Sequence, residues 1–215
     1  MKKLLFQAFL SLGLVIGLMP SVLAQGYPNK SIRIIVPFPP GGGNDVIGRI
    51  IAQKLTERLG QQVVVDNRAG ANGIVGLQAL MQAPPDGYTI AVAAAGPMAV
   101  NPSLYEKLPY DSLKDFSYIT NMVIFPLILV THPSVPAKTT QDLINLAKAK
   151  PKQLFYGTPG SGNSAHLAGE LLNSMANVQT VHVPYKGQGP AMADLVAGQV
   201  QMMFASIPSV LPQVK

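Results

Sequence analysis

The sequence has 215 residues, with 16 Lys and Arg against 10 Asp and Glu, a formal net charge of +6, and no cysteine. Its basic residues are scattered, with no stripe interleaved by aromatics, which excludes a nucleic-acid footprint. The missing cysteines exclude a disulfide framework, so an ordinary buried core must hold the fold.

Residues 1–24 read as an export signal. Lys2 and Lys3 precede an apolar run from Leu4 to Met19, and Val22 and Ala24 are the small residues a signal peptidase inspects, so cleavage is expected between Ala24 and Gln25. A spanning anchor is disfavoured, because Gly13, Gly17 and Pro20 interrupt a run that is already short for a bilayer. Removing Lys2 and Lys3 takes the net charge from +6 to +4. The exported product, of about 190 residues, is large enough to bury a core. Its expected location is the periplasm.

From Ser31 onward, short β-branched runs alternate with amphipathic stretches, the mark of an α/β fold with a largely parallel sheet. Residues 31–38 form the first strand. A helix from Asp45 to Leu59 places Val46, Ile47, Ile50, Ile51, Leu55 and Leu59 on one face and stops at Gly60. Residues 62–67 form the second strand, 74–83 a second helix and 88–95 a third strand. The strands read as continuously apolar, as in a sheet covered on both faces. Residues 96–117 carry a weaker pattern.

A second α/β series begins with a strand at 126–133. Helix 140–148, strand 154–158, helix 165–175, strand 180–185, helix 190–197 and strand 200–206 follow. The chain thus reads as two lobes, residues 25–125 and 126–215. The first has about three strands and lacks a C-terminal return, so the chain is expected to be truncated.

Each lobe carries a glycine-rich turn between a strand and a helix. Gly41, Gly42 and Gly43 follow the first strand, stiffened by Pro39 and Pro40. Thr158, Pro159, Gly160, Ser161, Gly162, Asn163 and Ser164 form the counterpart. The first N–H groups of a helix have no partner within it and carry the positive end of its dipole, so each turn is a candidate anion site made of backbone. Neither has the lysine and hydroxyl of a nucleotide P-loop. Gly160, Gly162 and Ala165 match a dinucleotide fingerprint, but the following strand ends in no acidic residue for a ribose. Ser164 lacks the nucleophile elbow, and His132, His166 and His182 have no metal-ligand spacing. No catalytic constellation, metal site or cofactor is expected.

Residues 36–49, 63–73, 84–90, 101–119, 156–172 and 183–204 together resemble the extracytoplasmic solute receptors of the tripartite tricarboxylate transporter system, the Bug family. The resemblance runs from about residue 27 to the last residue. It implies a type II periplasmic-binding-protein-like fold in which two lobes close on a small carboxylate and deliver it to membrane permease subunits. It also implies a monomer, with no chemistry of its own. Carried onto this sequence, the ligand loops are Pro39 to Asp45, including Asn44, and Thr158 to His166. Asn67, Gly73, Ala95 and the stretch from Lys186 through Gly187 to Pro190 would be further wall positions. Asp45 would order the first loop rather than touch a carboxylate. Where many relatives have an acidic residue at the far wall, this chain has Ala205 and Ser206, which favours a neutral-tailed carboxylate over an amino acid. Two alternatives stand beside this reading: a secreted α/β hydrolase using Ser164, and a ligand-dependent partner of a membrane sensor.

Overall fold

The computed structural model describes residues 26–124 and 126–214. The export signal and its cleavage point lie outside the described residues. Ile32, Ile34, Ile35 and Val36 are at most 3% exposed, which requires cover on both faces and on both edges. Strand β1 (Ile32–Val36) is accordingly central, with β2 (Val63–Asn67) and β3 (Thr89–Ala91) parallel to it in the order β2-β1-β3. Ile34 stands opposite Val65 on one side and Ile90 on the other. This middle strand is buried except at Arg33; Val64 of β2 is exposed and β3 is half-buried.

Helix α1 (Gly43–Leu59) meets this sheet by part of the expected face, Ile51 and Leu55, and by a strip of small residues beside it. Gly43, Asp45, Gly48 and Ala52 are buried, whereas Ile50 and Leu59 are exposed. A Cβ on Gly48 would lie 2.9 Å from Val36 Cγ2, so the helix makes its nearest approach through small residues, while Ile51 and Leu55 pack against the core beside them. Gly60, at φ 66°, ends the helix in the left-handed conformation and donates its N–H to Thr56 O. Helix α2 (Ile74–Met81) follows the glycine turn after β2. Strand β3 is shorter than expected, because beyond Ala91 the chain passes into a π-type turn at Gly96–Val100 and a short helix α3 (Asn101–Leu104).

The second lobe is built on β4 (Leu127–Thr131), β5 (Phe155–Thr158), β6 (Val181–Pro184) and β7 (Met202–Ser206). Their order is β4-β7-β5-β6, parallel except for the antiparallel pair β4 and β7. Side chains alternate across a strand, and adjacent Met202 and Met203, both fully buried, enter different clusters. Met202 packs with Leu143, Ala147, Leu154 and Tyr156 under α4 (Thr140–Ala149) and α5 (Ser164–Ala176). Met203 packs with Ala191, Leu195, Ala205 and Val210 under α6 (Gln188–Val196) and α7 (Ile207–Val210). This placement brings the C-terminal ends of β1 and β5 to helix starts, where open α/β sheets take ligands.

Candidate functional site

The first loop is braced from beneath. Asp45, only 3% exposed, accepts the Gly41 N–H at 3.0 Å and Arg49 Nε at 3.0 Å on one oxygen. Its other oxygen accepts Asn67 Nδ2 at 2.9 Å, and the same amide donates to Phe38 O at 3.0 Å. Burial pushes this carboxyl up, but Arg49, the Gly41 N–H and Asn67 outweigh it and hold it below the usual range. Gly41 takes φ 87° to make the turn. The N-cap of α1, Gly42, has no side chain to cap the helix, which leaves the first N–H groups of α1 open to a ligand.

The second loop differs. Asn163 caps α5, accepting the N–H groups of Ala165 at 2.8 Å and His166 at 3.1 Å, while its amide donates to Gly160 O. Thr158, fully buried, accepts the Gly160 N–H at 3.3 Å and donates to Gly160 O at 3.0 Å. His166 Nδ1 accepts the Gly162 N–H at 3.2 Å. Four N–H groups of this loop and helix start are therefore engaged by protein side chains. The two turns, each expected as a backbone anion site, differ: no side chain caps the first at Gly42, whereas the second is internally bonded.

Behind the second loop, His182 Nε2 lies 2.6 Å from Thr158 Oγ1. Its ring stacks on His166 at 4.0 Å and on Tyr156 at 5.1 Å. Burial, and then the His166 charge, lower His182 to about 4, so it stays neutral near pH 7. Neither histidine bonds Ser164, and the described residues hold no group of metal-ligating side chains.

Both loops border one cavity of about 1480 Å³. Of the expected site residues, Gly42, Gly43, Asn44, Ala95, Pro159, Asn163 and Ser164 line it. Among the described residues, Asp115 is the one charged side chain on its wall. Asp45, Asn67, Thr158 and His166 stand behind the loops. Pro39, Pro40 and Gly187 form a seam between the lobes: a Cβ on Gly187 would lie 2.4 Å from Pro39 Cδ, and one on Gly189 3.1 Å from Pro40 O. A second contact places Gly162 against Leu104, where a Cβ would approach to 2.4 Å.

Four expected wall positions lie elsewhere. Lys186 and Pro190 are exposed and off the cavity. Gly73 is buried under Pro97 and Pro37. Ala205 is fully buried in the core with Ala191 and Met203, because it shares the strand face of Met203. The period-2 alternation of β7 could have shown this. Gln188, within the stretch expected at the wall, and Ser206, at the expected far wall, do line the cavity.

The model of the tripartite tricarboxylate transporter family receptors matches residues 47–215. The chain belongs to this family. BugT of Bordetella pertussis is 38% identical over 200 residues, which cover 93% of this chain and 61% of that protein. The R. palustris protein Rpa4515, solved with adipate, is 35% identical at a TM-score of 0.85 and covers 86% of this chain and 62% of its own. MatC from Rhodopseudomonas palustris, with bound malate, is 30% identical at a TM-score of 0.80 and covers 86% and 63%. The likeness establishes a two-lobed periplasmic-binding-protein fold for this Bug-type receptor chain, which spans 55% to 61% of the length of the first curated relatives. Among the described residues, no helix is long and apolar enough to cross a membrane.

Proposed function

We propose that this chain is the ligand-capturing part of a periplasmic receptor that takes up a small carboxylate between its lobes, residues 25–125 and 126–215, and delivers it to a tripartite tricarboxylate-type membrane transporter. The observation that carries this reading is the open N-terminus of α1 at Gly42, bordering a cavity without any cationic side chain among the described residues. Such a site neutralises an anion with backbone N–H groups and the helix dipole. The adipate and malate found with similar receptors have this chemistry. A role in binding without catalysis fits the two histidines, which are engaged in holding the second loop.

Thermal denaturation with a panel of small carboxylates, including adipate and malate, tests this. A ligand at a hundredfold excess over its Kd adds about 2.7 kcal/mol to the folded state, which for a chain of this size raises Tm by roughly 5–10 °C. A folded sample that shifts with no carboxylate in the panel would refute the receptor reading.

A further inference from the structure

Of the two histidines behind the second loop, one holds it by an atom that only a neutral ring can offer. His166 Nδ1 accepts the Gly162 N–H at 3.2 Å. A protonated imidazole has two N–H donors and no acceptor, so this bond exists only while Nδ1 carries no proton. Gly162 is also a point of contact between the lobes. It takes φ 80°, and a Cβ there would lie 2.4 Å from Leu104 Cδ2 of the first lobe. Its neighbours in the loop, Pro159, Asn163 and Ser164, line the cavity. Whatever moves Gly162 therefore moves both a seam and a wall.

The groups around His166 set what a proton would do there. Its ring stacks on His182 of β6 at 4.0 Å, with the planes 25° apart. His182, lowered to about 4 first by burial, stays neutral between pH 7.5 and 5.5, the range in which an ordinary histidine takes its proton. His166 Nε2 lies 3.9 Å from Glu170 Oε1 on the same helix, and that oxygen also accepts the Tyr156 hydroxyl from β5. Thr158, the other polar residue of β5, faces His182. β7, which also packs on α5, carries no ionisable side chain. An imidazolium at His166 would thus keep Glu170 as its partner on the Nε2 side while turning an N–H toward the Gly162 N–H. Two donors would then oppose each other where a bond had been.

We propose that His166 is a positioning residue that makes ligand binding proton-sensitive: its neutral ring holds Gly162 and the second loop in place, and its protonation releases the loop and weakens the grip on the carboxylate. The proposal rests on the carboxylate-receptor reading and adds control of that same site by pH.

Calorimetric titration of succinate, malate and adipate at pH 7.5 and 5.5 tests it, on wild type and on His166→Asn, whose Oδ1 can accept an N–H near the place of Nδ1 without titrating. The quantity read is the ratio of Kd at pH 5.5 to Kd at pH 7.5, because protonation of the ligand itself is common to both proteins and cancels between them. That ratio is about tenfold larger in wild type, the scale of one hydrogen bond lost. His166→Phe keeps a ring but offers no acceptor; it binds more weakly than wild type at pH 7.5, shares the small ratio, and serves if the first variant does not fold. Equal ratios in wild type and a folded variant overturn the proposal and leave the receptor reading standing. Binding of none of the three ligands by folded wild type at pH 7.5 overturns the carboxylate-receptor reading itself, and this proposal with it.

Discussion

Asp45 shows how one side chain can support a site it does not line. Its carboxylate ties Gly41, Arg49 and Asn67 together, and its lowered pKa means that this stabilisation is present above the unfolded value near 3.8 and is lost as pH falls through the folded value. Asp45→Asn is expected to cost about 1–3 kcal/mol in urea denaturation at pH 7, because it leaves buried donors without an acceptor. The gap to wild type should close toward pH 3; a constant gap would show that the charge is irrelevant. His182 works in another window. Folding lowers its pKa from 6.5 to about 4, so the unfolded chain binds the proton more readily and stability is lost as pH falls from 6.5 to 4. His182→Gln, which can still bond Thr158, should flatten the dependence of Tm on pH across that window; an unchanged slope would place the effect elsewhere. The bond from Asp45 to Arg49 was legible from their i,i+4 spacing. Its partner Asn67, at the end of strand β2, was not. Nor was the stacking of His166 on His182, whose residues read as belonging to separate elements.

At the scale of elements, close approach through glycine recurs. Helix α1 meets β1 at Gly48, and α5 meets β5 at Gly169, where a Cβ would lie 2.3 Å from Tyr156 Cε2. Overpacking of this kind typically costs about 1–3 kcal/mol, so Gly169→Ala should lower the urea midpoint of the second lobe accordingly. A variant as stable as wild type would mean that the Tyr156 ring yields. Gly187 combines φ 128° with its contact on Pro39. Gly187→Ala should therefore hold the lobes apart and weaken binding of the carboxylate proposed above by roughly 5- to 150-fold, for the same 1–3 kcal/mol. Undiminished affinity would show that the seam is not part of the liganded state. These contacts explain why only part of the expected α1 face is covered. Hydrophobic periodicity marks the positions that carry the most apolar surface, and Ile51 and Leu55 do pack on the core, whereas the nearest approach is made at Gly48 and Ala52.

Across the molecule, the core of the first sheet gathers around Ile34 and Val36, and those of the second around Met202 and Met203, so a ligand in the cavity would bridge separately cored units. Hydrogen exchange should then slow together at residues 39–45 and 158–166 when a carboxylate binds; protection at the second loop alone would contradict the role assigned to Gly42. The sequence by itself determined the α/β class, the order of the strands and longer helices but not the short helices α3 and α7, the three-stranded first sheet and the two glycine turns. Those features are written in local period, turn chemistry and chain order, which each segment carries on its own. Only the tertiary structure decided that β4 runs antiparallel to β7, that α1 buries Gly48 and Ala52, that the second loop bonds internally while the first stays open, and that Gln188, Ser206 and Ser209 close into a ring. Each of these depends on which distant residues meet and at what separation, and that is fixed by register and packing between segments that no local pattern encodes.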